Sequence, residues 1–290
     1  MALIVGVHGI AQQGKGAPKL VSEWWPSLLS GVDNAGRKIP DNSLACAYYG
    51  GLFRGRDKVR AAGDPPFIPA DVKDPFEKVL LLEWWKAAAA DDPSHVPAPK
   101  AAGQRGVPVL VQDGLQALTH SKFFVGIARS LMIGNLKQVR LYMQDNIIRT
   151  AAQDSVNAVV ATDTKVLVAH SLGSVVAYES LHRFKGQPNW ANVKTLITLG
   201  SPLAIQNLIF QALDPAPVNG KGEWPPHIER WVNISDDHDV VALNKKLGDF
   251  FDGKDGTIVD IGIDNGATAH DVSPYLTAIS TGKAIADAIA

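Results

Sequence analysis

Ser171 stands where an apolar stretch ending at Ala169 gives way to a segment of helical spacing, in the run Ala169-His170-Ser171-Leu172-Gly173. Small residues two before and two after a serine let the chain turn sharply from strand to helix, which holds the hydroxyl exposed at the edge of a sheet. The same turn aims the N–H of Leu172 at the space before that hydroxyl, at a helix N-terminus, where a developing oxyanion would be stabilised. The chemistry this suits is attack of a serine oxygen on an acyl carbon. It needs a histidine to take the proton and a carboxylate to hold that histidine. The bare pattern also occurs in Ala278-Ile279-Ser280-Thr281-Gly282. No apolar strand precedes Ser280, which lies in a terminal helical segment, so context selects Ser171.

For the carboxylate, the run Trp231 to Val241 offers Asp236, Asp237 and Asp239 after a short apolar strand, and residue type alone leaves the three open. Of eight histidines, His238 beside this acidic run reads as a surface residue, and His227 lies upstream of the acid strand. His170, just before the serine, reads as a packing or hydrogen-bonding residue of the turn. A different chemistry is suggested by Gly9 to Gly16, which satisfies the phosphate-binding pattern G-x-x-x-x-G-K after an apolar strand. The position that should be Ser or Thr to ligate magnesium is Gly16, and no later apolar strand ends in a clear metal-binding Asp, which argues against a nucleotide binder. No H-E-x-x-H or calcium-loop spacing is present.

The elements that must position these residues follow from apolar periodicity. Ala2 to His8, Val166 to His170, Val193 to Leu199 and Trp231 to Ile234 read as strands buried on both faces, with Ser43 to Tyr48 and Thr257 to Ile261 as weaker candidates. Helical spacing runs over Leu172 to Phe184, over Gln138 to Val160 as one or two helices, and over Pro274 to Ala290. Alternating strands and helices imply an α/β fold with a mostly parallel central sheet and helices on both faces. Residues 50–134 break the rhythm with Pro-rich stretches, Asp64 to Pro69 and Asp92 to Pro99, around one clear helix. That helix has Asp74 as N-cap, Pro75 in its first turn, and Phe76, Val79, Leu80 and Trp84 at core-like spacing. The stretch reads as a lid or cap-like insertion in a single domain spanning 1–290.

Taken together the motifs resemble the α/β-hydrolase superfamily, in particular its lipase-like and esterase-like members. Val7-His8-Gly9-Ile10 is similar to the family's His-Gly oxyanion loop, and Leu199-Gly200-Ser201-Pro202 to a phrase common in lipases; Ala169 stands where the family usually has Gly. The resemblance implies the chain order Ser, Asp, His, and so a triad of Ser171, Asp239 and His270, with Asp236 as the alternative acid. Asp239-Val240-Val241 matches the family's Asp-x-Val phrase, and His270 lies in a late loop, with room for one helix and one strand after the acid. The N–H groups of Ile10 and Leu172 are implied as the oxyanion hole. The expected activity is serine-hydrolase cleavage of carboxylic esters, small-molecule or lipid, with no cofactor. Phospholipid, thioester or amide hydrolysis on the same triad is the neighbouring reading, and a catalytically silent binding protein the remote one.

Composition bounds the remainder. The 290 residues are 46% hydrophobic and 20% charged, an ordinary globular mixture. With 28 Lys and Arg against 29 Asp and Glu the net charge is -1, which gives no footprint for nucleic acid or a membrane surface. One cysteine, Cys46, excludes an internal disulfide and reads as inert core. The apolar N-terminus lacks a basic leader and reads as a strand, and no apolar run approaches the roughly 18 residues of a membrane span. The nearest, Phe123 to Leu136, is interrupted by Arg129. A cytoplasmic protein is the expectation. The tryptophan pairs Trp24-Trp25 and Trp84-Trp85, with Phe123-Phe124, suit either an acyl pocket or plain core.

Overall fold

In the computed structural model, residues 2–54, 65–99, 107–121, 124, 127–253 and 257–290 are described. The strands in chain order are β1 (Ile4–Val7), β2 (Leu44–Ala47), β3 (Val166–His170), β4 (Thr195–Leu199), β5 (Gly222–Glu223), β6 (Arg230–Asp236), β7 (Phe251–Asp252) and β8 (Ile258–Ile263). The helices are α1 (Ala17–Asn34), α2 (Pro75–Asp91), α3 (Val107–Leu118), α4 (Arg129–Gln144), α5 (Asn146–Asn157), α6 (Leu172–Arg183), α7 (Val272–Thr277) and α8 (Ile279–Ile289). Among the described residues one six-stranded sheet forms in the order β2-β1-β3-β4-β6-β8, and each of its pairings is parallel. The two-residue strands β5 and β7 pair separately.

Alternation along the strands sends side chains to opposite faces. Ile4, Val166, Val168, Ile197, Leu199, Val232 and Ile234 pack under α1, α7 and α8, through Leu20, Trp24, Leu28, Tyr275 and Ile285. Val5, Val7, Leu167, Ala169, Leu196 and Trp231 face the other way, into a larger core with Val175 and Val176 of α6 and side chains of α2, α4 and α5. The expected α/β class, the parallel sheet and its helical cover on both faces are thus present. β1, β3 and β4, in the middle of the sheet, are buried at every position and read as nearly continuous apolar runs, whereas β8 at the edge is largely half-exposed.

Several expectations need correction. The described chain has two helices that the periodicity did not mark, α1 and α3. In α1 the buried stripe Leu20, Trp24, Leu28 and Val32 is regular, but Pro26 and Gly31 interrupt the run. Pro18 starts that helix in its first turn, where a missing N–H costs nothing. Gln138 to Val160 is two helices, broken where Asp145 leaves α4 and caps α5 by accepting from the N–H groups of Ile147 and Ile148. The last helical stretch is likewise broken at Ala278. On α2, Val79 is exposed (42%), and the buried neighbour is Glu77, ion-paired with Lys137 and Arg140 of α4. No α-helix lies between Asp239 and His270 among the described residues; β7 and β8 occupy that stretch instead. Asp64, residues 55–63 and 100–106, and Phe123 lie outside the described residues.

Chain order and sheet order part company at β1, which is flanked by β2 on one side and β3 on the other. In open parallel sheets the crevice beyond the carboxyl ends of such a pair receives ligands. Both the His8 to Ile10 loop and Ser171 begin there.

Candidate active site

Ser171 occupies the turn between β3 and α6 with φ 54° and ψ -131°, a left-handed backbone rare for a residue with a Cβ. Its N–H donates to the Leu199 carbonyl of β4 at 2.9 Å. Its own carbonyl accepts from the Ser174 N–H at 2.9 Å and the Ser174 hydroxyl at 2.7 Å. Gly173 is required by close approach: a Cβ there would lie 2.2 Å from the Val7 carbonyl oxygen, so α6 starts hard against the end of β1. Ala169 in place of the expected Gly is accommodated, its methyl fully buried in the core on the α6 side. Contrary to the expectation of an exposed hydroxyl, Ser171 is only 2% exposed and opens into a cavity.

His270 lies in the turn after β8, just before the Asp271 cap of α7. Its Nε2 is 2.8 Å from the Ser171 hydroxyl oxygen and its Nδ1 2.7 Å from Asp239 Oδ2. Asp239, in the loop after β6, is buried, and its second oxygen accepts from the Val241 N–H at 2.9 Å and the Ala242 N–H at 3.3 Å. The Tyr275 hydroxyl donates to Oδ2 at 2.8 Å. Burial pushes the Asp239 pKa up, but His270, the Lys245 ammonium and the Val241 amide outweigh it and hold the group below the usual carboxylate range. An ionised Asp239 can only accept, so Nδ1 of His270 carries the proton and Nε2 is left to accept from the Ser171 hydroxyl. A further close neighbour is Gly200, at φ +54°, where a Cβ would stand 2.6 Å from Asp239 Oδ2 and 3.1 Å from His270 Nδ1.

Two further histidines hold the surroundings. Burial, then the charge of His270, lowers the His170 pKa to about 3, so it stays neutral. Its Nε2–H donates to the His270 carbonyl at 2.9 Å, and the rings lie 4.8 Å apart. His8 is lowered to about 4, chiefly by burial. It stacks on Tyr49 at 4.0 Å, accepts from the Tyr49 N–H at Nε2 and donates from Nδ1 to the Gly9 carbonyl at 2.6 Å. His170 is therefore the hydrogen-bonding residue expected from its place beside the serine.

The other sequence candidates lie elsewhere. Asp236 is buried, but its carboxylate accepts from the N–H groups of His238 and Asn265 rather than from His270, and burial raises its pKa. Asp237 is exposed, and half-exposed His238 pairs with Asp91 at the end of α2 at 2.5 Å. His227 is exposed on another face, at the Lys185 carbonyl. Ser280 lies inside α8, and Gly282 answers to packing, since a Cβ there would fall 2.0 Å from the Gly31 carbonyl of α1. In the glycine-rich first loop Lys15 is bound to Glu23 at 2.5 Å. Among the described residues no cluster of three or more His, Cys, Asp or Glu is arranged to hold a metal. Cys46 is buried, with its thiol pushed up to about 12.

The cavity above Ser171 and His270 measures about 650 Å³, within the usual range for small-molecule sites. Its walls are Trp24, Trp84, Phe124, Ile127, Val241 and Val272, with the Asn135 amide among them. One residue of each described tryptophan pair thus reaches the cavity, while Trp85 is core, donating to the Pro97 carbonyl at 2.6 Å. Ile10 lines the same cavity, and Leu172 opens the first turn of α6, whose dipole is positive at that end. Among the described residues neither N–H has a protein acceptor. Tyr275 left no mark in the sequence as a partner of Asp239, and Gly200 none as its close neighbour, because both contacts arise from elements brought together across the sheet.

Comparison with protein-family models, curated proteins and solved structures finds no match for this chain. Among the described residues no helix is long and apolar enough to cross a membrane.

Proposed function

We propose that the chain is a serine hydrolase of the α/β-hydrolase type, cleaving carboxylic esters of small molecules through Ser171, His270 and Asp239. The observation that carries this reading is the unbroken chain of hydrogen bonds from buried Asp239 through His270 to the hydroxyl of Ser171, on a left-handed turn at the floor of an apolar cavity. In the reaction His270 Nε2 takes the Ser171 proton as the oxygen bonds to the acyl carbon, while the N–H groups of Ile10 and Leu172 receive the oxyanion. His270 then gives its proton to the departing alcohol. Water, deprotonated by His270, releases the acid from the acyl-serine and restores Ser171. Asp239 stays ionised and keeps Nδ1 protonated throughout. No cofactor enters any step.

Ester rather than amide substrate is favoured by the cavity walls, which offer aromatic and aliphatic surface and few donors for a peptide backbone. The described part of residues 50–134 acts as the cap in this reading, since it supplies Trp84, Phe124 and Ile127. The test is fluorophosphonate labelling with the modified peptide mapped by mass spectrometry, beside Ser171→Ala. Labelling confined to Ser171, with ester turnover falling roughly 10⁶-fold in Ser171→Ala, is the expected result. A folded wild-type protein that neither labels nor hydrolyses esters of graded acyl length would overturn it in favour of a silent fold.

A further inference from the structure

We propose that Gln138, on α4, is a positioning residue that sets the oxyanion loop and so governs the rate of the acyl-transfer steps without touching substrate. The inference rests on the serine-hydrolase reading above. Three observations carry it. Ala11 has φ +63°, a left-handed backbone that a residue with a Cβ keeps only where its surroundings impose it. The Oε1 of Gln138, a side chain 1% exposed, accepts from the Ala11 N–H at 3.0 Å, and its Nε2 donates to the Gly134 carbonyl one turn earlier on α4. The two residues are 127 positions apart. Ala11 directly follows Ile10, whose N–H has no protein acceptor among the described residues.

The consequence is geometric. By taking up the Ala11 N–H, Gln138 withdraws that donor from the loop and fixes the peptide plane next to that of Ile10, so that Ile10 is left as the loop's donor toward the cavity. From below, the His8 ring holds the Gly9 carbonyl. The loop is thus clamped on both sides of Ile10, and the upper clamp belongs to α4, which also places Asn135 in the cavity wall. A buried amide with both ends bonded is a stiff support. Without its acceptor the Ile10–Ala11 peptide is held, among the described residues, only by Gln12, whose Nε2 donates to the Ile10 carbonyl at 3.2 Å, so Ala11 relaxes toward the right-handed region and strains the His8-held Ile10 amide out of line with the cavity.

The test compares Gln138→Met, which conserves volume but removes the acceptor, with Gln138→Glu, which keeps an acceptor oxygen. Loss of one oxyanion donor lowers kcat by roughly 10² to 10³. Gln138→Met is expected to lose about 10² in kcat with KM within about threefold of wild type, and to bind a trifluoromethyl ketone weaker by a similar factor. Gln138→Glu is expected to recover most of that loss. Gln138→Asn, which retains the amide but draws it back by one methylene, provides the same test should the methionine variant not fold, and is expected to lose kcat likewise. A folded Met or Asn variant with kcat within twofold of wild type overturns the inference, as does an equal loss in Gln138→Glu. Full ester turnover by Ser171→Ala, in contrast, would overturn the serine-hydrolase reading itself.

Discussion

Gly200→Ala tests the assembled site more sharply than removal of any of its polar groups. At φ +54° an alanine costs about 1–2 kcal/mol of backbone strain. Its Cβ would also stand 2.6 Å from Asp239 Oδ2, so the carboxylate must withdraw by about 0.8 Å to reach an ordinary 3.4 Å contact. Asp239 is held by His270, Tyr275 and two backbone N–H groups, so that withdrawal breaks or lengthens bonds on both of its oxygens. A displacement of this size in a catalytic constellation costs about 10² in rate, and full loss of histidine orientation about 10⁴. The expected fall in kcat/KM therefore lies between about 10² and 10⁴, with stability lowered by roughly 2 kcal/mol. Gly220→Ala is the matched control: φ is +78° there, but nothing lies within 4 Å of the added Cβ. It should lose stability through strain alone and retain its rate. The assay is hydrolysis of p-nitrophenyl esters beside urea unfolding of both variants. Turnover by Gly200→Ala within fivefold of wild type, or an equal loss in Gly220→Ala, would refute the reasoning.

Asp239→Asn should lower kcat by about 10⁴ by analogy with the known triad case, whereas Asp236→Asn should leave kcat within about tenfold while lowering the melting temperature; a reversal of the two would transfer the acid role. Acid should destabilise the protein well before its carboxylates titrate. The folded pKa values of His8, His170 and His182, about 4, 3 and 4, lie below the ordinary 6.5 because burial disfavours the charged ring. The unfolded chain then binds more protons as pH falls below about 6.5, and stability declines by up to about 1.4 kcal/mol per pH unit for each histidine. Asp239, held below its usual range, adds a loss of the same sign once pH falls through the unfolded carboxylate value. Urea midpoints from pH 8 to 4 measure the slope, which His170→Gln should flatten; an unchanged slope would show that His170 does not titrate as stated.

Much of the frame was legible because its signals are local. Strands buried on both faces read as short runs of Val, Ile and Leu; the four expected from such runs and the two weaker candidates are all in the sheet, with ends shifted by at most two residues. The sharp turn at Ser171 was legible for the same reason, since it depends on residues adjacent in the chain. α1 was hidden by Pro26 and Gly31, and the structure shows why they are tolerated: a Cβ at Gly31 would meet the Leu276 carbonyl at 2.1 Å, so tight packing on the terminal helices took precedence over helix propensity. Val79 was misjudged because the stripe on α2 includes a buried charge, Glu77, whose burial is comprehensible only once Lys137 and Arg140 are beside it.

The sequence by itself determined the α/β alternation, the strand-to-helix turn and a short set of acid and base candidates, because hydrophobic period and turn chemistry act over a few residues. Residue type left Asp236, Asp237 and Asp239 open and the resemblance favoured Asp239; only the tertiary structure shows that Asp239 is the one whose carboxylate meets His270, since that contact depends on how the ends of β6 and β8 are laid side by side. It alone brought His270 to Ser171 across 99 residues, and Gln138 to Ala11 across 127. Hydrogen bonds extend about 3 Å and carry no record in the intervening chain. Their partners become defined only when the sheet order is fixed and both faces are covered.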